Sequence, residues 1–137
     1  MNLLDTDILT LLMNGHALVT RRVSQADEPR ITIISRIEIL QGRFASILKA
    51  AVAHELLRAQ DRLERTELFL QAQSIAFFDQ MAAAEFEKLR QIPKLRKIGR
   101  ADLMIACIAI ARRATVITRN LKHFRLIPGL QVENWAD

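Results

Sequence analysis

Three acidic residues, far apart in the chain, fall where an α/β fold would bring their side chains together. Asp5 ends the first apolar segment, Glu38 lies one helical turn after the β-branched segment Arg30–Ile34, and Asp102 opens a nearly all-apolar segment. If the apolar segments are parallel strands, their carboxyl ends share one edge of a sheet, so Asp5 and Glu38 meet the later turn Thr118–Asn120 there. Because Asp102 lies at a helix start, topology alone fixes its position less firmly.

Carboxylates gathered in one pocket repel each other. Two unit charges about 4 Å apart repel by about 4 kcal/mol at an effective dielectric constant near 20. Either a proton is shared between them or a divalent cation neutralises them. Oxygen ligands suit Mg²⁺ or Mn²⁺, and such a metal can activate a water for phosphodiester cleavage. The pattern therefore predicts a metal-dependent nuclease.

Each acidic residue also has a purely structural interpretation. Asp5 could be a turn or capping residue. Glu38 could be the return half of a Ser-x-x-Glu capping box that begins at Ser35. Asp102 could be a first-turn carboxylate that is favoured by the helix dipole. Asp7 is predicted to be the N-cap of the first helix rather than a metal ligand.

The charge balance favours a polyanionic partner. The chain has 20 Lys and Arg against 15 Asp and Glu, a net charge of +5, and a basic surface around an acidic pocket is the layout of a metal-dependent nuclease. Only 5% of the residues are aromatic and Tyr is absent, which argues against a base-stacking platform. The candidate phosphate contacts are the basic residues next to the acidic motifs: Arg36, Lys97, Arg100, Arg119 and Lys122.

Length and composition predict one globular domain, residues 1–137. The cytoplasm is the default compartment, since the sequence indicates no membrane span, secretory signal or disulfide. The longest wholly apolar run, Leu103–Ala111, is nine residues, whereas a membrane span needs roughly 20. Asp5 interrupts the N-terminus and no basic start precedes an apolar stretch, so no secretory signal is expected. The single cysteine, Cys107, excludes a disulfide framework and a cysteine-based zinc site, and is interpreted as a core residue.

The fold class follows from short apolar runs that alternate with longer helical patterns. This alternation is typical of βαβ units around a parallel sheet, and the scarcity of Gly and Pro favours helices. The predicted strands are Asn2–Asp5, Arg30–Ile34, Ser74–Phe78, Thr115–Thr118 and Gln131–Glu133. The predicted helices are Asp7–Met13, Ala17–Ala26, Ser35 to about Gln41, Ala45–Gln73 with a break near Asp61, Asp79–Gln91 and Ala101–Arg113.

Three sequence blocks carry a family resemblance. They are NLLDTDIL at the N-terminus, ISRIEILQG around Glu38, and IGRADLMIACIAIARRATVITRNLKHFRLIPGLQVENW from Ile98 onward. In this order they make the whole chain resemble the PIN-domain ribonucleases, and within them the VapC-type toxins of bacterial toxin–antitoxin pairs. The last block is the most specific of the three.

The resemblance implies a helix-rich, PIN-like three-layer α/β/α sandwich with a central parallel sheet. It implies that Asp5, Glu38 and Asp102 surround Mg²⁺ or Mn²⁺, and that a metal-activated water cleaves RNA without a covalent intermediate. It also implies a homodimer and a cognate antitoxin whose tail covers the site. Leu56, Leu57, Leu63 and Phe69 are interpreted as core residues, with a groove for an antitoxin helix as the alternative.

One departure from the family pattern concerns His123, which stands where members often carry a fourth acidic residue. This puts a second, tightly held metal in doubt. Asn120 remains and could orient a water at the site, and Asp7 could supply a fourth carboxylate from the other side.

Two other functions compete with the nuclease. Asp5 and Asp7 after an apolar strand resemble the nucleophile loop of haloacid-dehalogenase-like phosphatases, although Leu9 fits that loop poorly. The fold could also serve as a catalytically weak binding module, for which His123 is the best support.

Overall fold

The computed structural model describes all 137 residues, and its strands and helices alternate along most of the chain. The strands are β1 (Asn2–Leu4), β2 (Pro29–Thr32), β3 (Ile75–Ala76), β4 (Thr115–Ile117) and β5 (Gln131–Glu133). The helices are α1 (Thr6–Met13), α2 (Ala17–Gln25), α3 (Ile33–Lys49), α4 (Ala53–Gln71), α5 (Gln80–Leu89), α6 (Arg100–Arg112) and α7 (Leu121–Phe124), with a 3₁₀ turn at Pro93–Leu95.

All five strands form one parallel sheet with the order β3-β2-β1-β4-β5. Strand β1 lies in the middle, where Leu4 is in register with Ile31 of β2 and Ile117 of β4. The predicted central parallel sheet is confirmed. Because the chain leaves β1 toward β2 on one side and later returns to β4 on the other, the topological switch point lies between β1 and β4.

Helices cover both faces of the sheet, which gives the expected three layers. Successive strand residues point to opposite faces, so Leu3 joins the core that α5 and α6 form on one side. Leu4 joins the second core, which contains Ile8 of α1, Val19 of α2 and Leu70 of α4. Cys107 is fully buried in the first core, as predicted.

The predicted boundary between β2 and α3 is wrong. Strand β2 ends at Thr32, not Ile34, because the Thr32 hydroxyl accepts a hydrogen bond from Ser35 N at 3.1 Å and caps α3. Ser35 lies inside the helix, so the Ser35–Glu38 capping box does not form. Helix α3 continues past Gln41 to Lys49. The exposed Gly42 does not end it, because one glycine in a helix costs only about 1 kcal/mol.

The long helix predicted over Ala45–Gln73 breaks at Ala50–Val52 rather than near Asp61. Asp61 pairs with Arg65 at 3.0 Å within α4, one helical turn away, which favours the helix at this point. The interpretation of Leu56 and Leu57 as core is wrong, since 43% and 67% of their surfaces are exposed. Thr66 and Leu70, near the other end of α4, are buried instead.

Helix α7 was not predicted, and it follows the Thr118–Asn120 turn directly. The last strand, β5, lies at the sheet edge as predicted, after a turn in which Gly129 adopts a positive φ of 79°. No helix of the protein combines the length and the apolar character that a membrane crossing requires.

Arg113, which caps the C-terminus of α6, has a left-handed backbone conformation with φ 54° and ψ 37°. A side chain strains this conformation and glycine does not. We expect Arg113→Gly to raise the free energy of unfolding by about 0.5–1 kcal/mol, measured by urea titration. Arg113→Ala keeps the Cβ and serves as the control. A glycine variant no more stable than the alanine variant would contradict this account of the helix end.

Candidate active site

Asp5 stands at the carboxyl end of the central strand and begins α1. Its backbone N donates to the Ile117 carbonyl of β4 at 3.0 Å, and its Oδ1 accepts from Ile8 N at 2.9 Å. Asp5 is therefore the N-cap of α1, and the prediction that Asp7 caps this helix is wrong. The cap fixes the Asp5 side chain at the sheet edge, where only 6% of the residue is exposed.

A pocket of about 250 Å³ lies at this edge, beside the switch point between β1 and β4. Four carboxylates, an amide and two further residues line it: Asp5, Thr6, Asp7, Glu38, Asp102, Asn120 and Phe124. The structure thus brings together all four residues predicted to carry the chemistry, Asp102 and Asn120 included. Asp102 reaches the pocket because it lies in the first turn of α6, next to the carboxyl ends of the strands.

Glu38 is held by a network of hydroxyl groups. Thr6 Oγ1 donates to Glu38 Oε1 at 2.6 Å and lies 3.0 Å from Ser35 Oγ. Because the Thr6 hydroxyl has one proton and gives it to the carboxylate, Ser35 must act as the donor to Thr6. The sequence analysis did not identify Thr6 and Ser35 as residues that position Glu38. The one sequence feature that could have indicated this role is the Thr6 hydroxyl, directly after Asp5.

Burial is the main cause of the raised pKa of Asp5, which increases from 3.8 to about 6. Hydrogen bonds from the Thr118 side chain and from Ile8 N oppose this shift. The charges of Asp7 and Asp102 add to it. The fold therefore holds Asp5 where its ionised form is disfavoured and a positive charge would stabilise it.

The pKa of Asp102 is also raised. Burial raises its pKa above the usual 3.8, and the nearby charges of Glu38 and Asp7 raise it further, whereas His123 lowers it. The charge of Glu38 thus acts on Asp102 and that of Asp102 acts on Asp5, although the three residues come from distant parts of the chain.

The donor chemistry of the pocket fits a hard divalent cation. Its charged ligands are all carboxylate oxygens, which Mg²⁺ and Mn²⁺ prefer over sulfur or nitrogen. As the side chains stand, no three acidic, His or Cys side chains converge closely enough to hold a metal ion. Glu38 Oε1 is engaged by Thr6, so binding an ion would require the carboxylates to close toward a common point.

His123 lies beside the pocket, where its charge lowers the pKa of Asp102. Its Nδ1 is 3.0 Å from Asn120 Nδ2, within hydrogen-bonding distance. Asn120 N also donates to Thr118 Oγ1 at 2.9 Å. His123 therefore positions the Asn120 amide at the pocket, a link that its spacing in the sequence did not reveal.

None of the five predicted phosphate contacts lines the acidic pocket. Arg36 is partly buried on α3, whereas the other four, Lys97, Arg100, Arg119 and Lys122, are exposed. Arg100 lines a separate cavity of about 570 Å³ between α5 and α6. Their contact with phosphate remains a prediction.

A family model described as PIN domain matches residues 3–130. The chain belongs to the PIN domain family. Nucleases with this domain generally need a divalent metal ion, which agrees with the donor chemistry of the pocket. The match favours the predicted nuclease over the phosphatase alternative.

Several relatives of this PIN domain are named as ribonucleases. Ribonuclease VapC1 of Haemophilus influenzae (strain R2866) is 29% identical over 140 residues, with 98% of this chain and 97% of the relative covered. The tRNA(fMet)-specific endonuclease VapC of Salmonella typhimurium is 32% identical over 108 residues, covering 77% of this chain and 74% of the relative. The predicted likeness to VapC-type ribonucleases is confirmed.

Solved structures with the same fold come from toxin–antitoxin complexes. VapBC-1 from nontypeable Haemophilus influenzae has a TM-score of 0.78 at 27% identity, covering 99% of this chain and 98% of the matched chain. VapBC2 from Rickettsia felis, bound to a promoter DNA fragment, has a TM-score of 0.77 at 27% identity, covering 98% of both chains. The fold of this PIN domain is therefore shared over its full length.

The raised pKa of Asp5 makes stability depend on pH in metal-free buffer. Because the folded protein binds the proton more tightly than the unfolded chain, the carboxyl group destabilises the fold as pH rises from about 4 to about 6, and the cost stays constant above. A pKa of about 6 against 3.8 corresponds to about 3 kcal/mol. We expect Asp5→Asn, which keeps the capping oxygen, to unfold at a higher temperature than the parent at about pH 8.

The advantage of Asp5→Asn should shrink toward zero near pH 4, where the parent carboxyl group is neutral. Thermal melts across this pH range measure it. Asp27→Asn is the matched control because Asp27 is an exposed carboxylate outside the pocket and does not contribute to the pKa of Asp5. Equal melting temperatures of parent and Asp5→Asn at about pH 8 would refute the desolvation of Asp5.

Proposed function

We propose that this PIN domain is the endoribonuclease toxin of a VapBC-type toxin–antitoxin pair and hydrolyses RNA phosphodiesters with Mg²⁺ or Mn²⁺. One observation carries the proposal. Four carboxylates, one of them 6% exposed, share a small pocket at the switch point of a parallel sheet. Such a collection of negative charge, desolvated at Asp5 and Asp102, is costly without a cation, and it suits a site whose charge is compensated when a divalent ion binds.

In this proposal Asp5, Glu38 and Asp102 would hold the metal ion. An ion bound there would supply activation of a water and neutralisation of charge at the scissile phosphate. Thr6 fixes one oxygen of Glu38, and the Ile8 amide fixes one oxygen of Asp5. Partners of this kind orient the groups that bind a metal. The Asn120 amide, held by His123, orients the attacking water or a phosphate oxygen.

RNA is the proposed substrate because the named relatives are ribonucleases and one of them is a tRNA endonuclease. A cognate antitoxin is the proposed inhibitor because the structural neighbours are VapBC complexes. We also propose that the protein acts in the cytoplasm as a homodimer. Leu56 and Leu57, exposed on α4, would suit the apolar face of an antitoxin helix.

Cleavage of total RNA by antitoxin-free protein tests the proposed function. We expect cleavage with Mg²⁺ or Mn²⁺ and none with chelator. Asp5→Asn, Glu38→Gln and Asp102→Asn should each lower the rate more than about 100-fold, because even residues that only orient metal ligands contribute roughly 10- to 100-fold. End mapping of the products then identifies the RNA and the cleavage site.

Asp27→Asn is the matched control, since it removes an exposed carboxylate outside the pocket and should cleave like the parent. Folding of each variant is checked by circular dichroism. A parent that binds RNA but cleaves none in the presence of either metal would support the binding module instead. Cleavage that persists in chelator would contradict the role of the metal.

A further inference from the structure

A second charged cavity lies between α1, α3 and α4, and it is basic rather than acidic. It has a volume of about 290 Å³ and is lined by three arginines and four other residues: Met13, Asn14, Arg43, Arg62, Arg65, Thr66 and Phe69. None of these residues is shared with the acidic pocket. The arginines come from two helices that meet only because the chain turns back at Ala50–Val52.

The positive charge in this cavity is largely uncompensated. Arg43 Nε donates to the hydroxyl of buried Thr66 at 2.9 Å, which fixes the guanidinium without neutralising it. Arg65 pairs with Asp61 at 3.0 Å. Neither Arg43 nor Arg62 forms an ion pair. Burial and the charge of Arg62 lower the pKa of Arg43, so an anion placed between the two would be stabilised.

The basic cavity continues into a neighbouring one through Arg62. That neighbour has a volume of about 470 Å³ and is lined by Ser46, Lys49, Ala50, Glu55, Arg58, Ala59 and Arg62. Its one acid, Glu55, already accepts a hydrogen bond from Ala51 N at 3.1 Å. Arg58, Arg62 and Arg65 follow at helical spacing on one face of α4. Together Arg43, Lys49, Arg58, Arg62 and Arg65 form a continuous basic track.

The basic track is connected to the acidic pocket by two helices. Helix α1 begins beside Asp5 and ends at Met13, which lines the basic cavity. Its eight residues span about 12 Å. Helix α3 likewise carries Glu38 near its start and Arg43 further along. At about 3.4 Å per stacked nucleotide, an RNA strand covers this distance in about four nucleotides.

We propose that the basic track binds the phosphate backbone of the RNA substrate several nucleotides from the scissile bond. The inference rests on the proposed function and extends it. A row of cations that crosses two cavities matches a ligand with regularly repeated negative charge. One guanidinium group can also donate two parallel hydrogen bonds to the oxygens of a phosphate. An acidic protein segment is the other polyanion such a surface could take, and the experiment separates the two.

Binding of a labelled single-stranded RNA to the inactive Asp5→Asn chain, titrated at several salt concentrations, tests the basic track. Adding Arg62→Gln should weaken binding about tenfold and lower the slope of log affinity against log salt by about 0.7, the value for one lost phosphate contact. The further change Arg43→Gln should lower the slope again. Arg21→Gln, an exposed arginine of α2 outside both cavities, is the matched control and should change neither quantity.

The outcomes separate this inference from the proposed function. If the parent chain cleaves RNA and the Arg62→Gln slope equals that of Arg21→Gln, the basic track fails and the nuclease stands. If the parent cleaves nothing while Arg62→Gln still weakens RNA binding, the nuclease fails and the track stands. Polyglutamate that competes as strongly as RNA, with the same dependence on Arg62, would overturn the assignment to RNA in favour of an acidic protein segment.

Discussion

The burial of Asp5 among other carboxylates is the interaction on which the site depends. Asp5 lies on the central strand, where its main chain is bonded to β4 and its side chain caps α1. The carboxylate cannot turn toward solvent without losing the cap, so its desolvation is part of the fold. The hydrogen bond from Ile8 N to Asp5 stabilises the start of α1, whereas the buried negative charge of the same side chain destabilises the folded protein. This opposition between stability and chemistry is typical of functional sites.

Much of the arrangement was predictable from the sequence because it follows from strand ends. Asp5 and the Thr118–Asn120 turn end neighbouring parallel strands, so any sheet with these strands adjacent brings them together. The position of Asp102 in the pocket could be established only from the structure, because a helix start can lie at either edge of a sheet. The predicted start of α3 was wrong for a local reason. Thr32 and Ser35 can both cap a helix, and only tertiary packing selects Thr32.

Contacts between helices could not be predicted from the sequence. The basic track depends on the turn at Ala50–Val52, which the apolar pattern of Ala45–Gln73 concealed, so Arg43 and Arg62 were not expected to meet. His123 likewise became interpretable only when its bond to Asn120 placed it beside Asp102. The two charged regions separate opposite charges within a chain of net charge +5: the proposed role of the basic track is to gather the polyanion, and that of the acidic pocket is to act on it.

A crystal structure of the protein soaked with Mn²⁺, read by anomalous scattering, tests most directly whether the acidic pocket is a metal site. The account predicts an anomalous peak in the pocket at roughly 2.0–2.3 Å from carboxylate oxygens of Asp5, Glu38 and Asp102, close to the distances of small divalent cations. The same soak of the Asp5→Asn protein should show no peak there. An empty pocket in the parent crystal at saturating Mn²⁺, or an ion bound only elsewhere, would contradict the account.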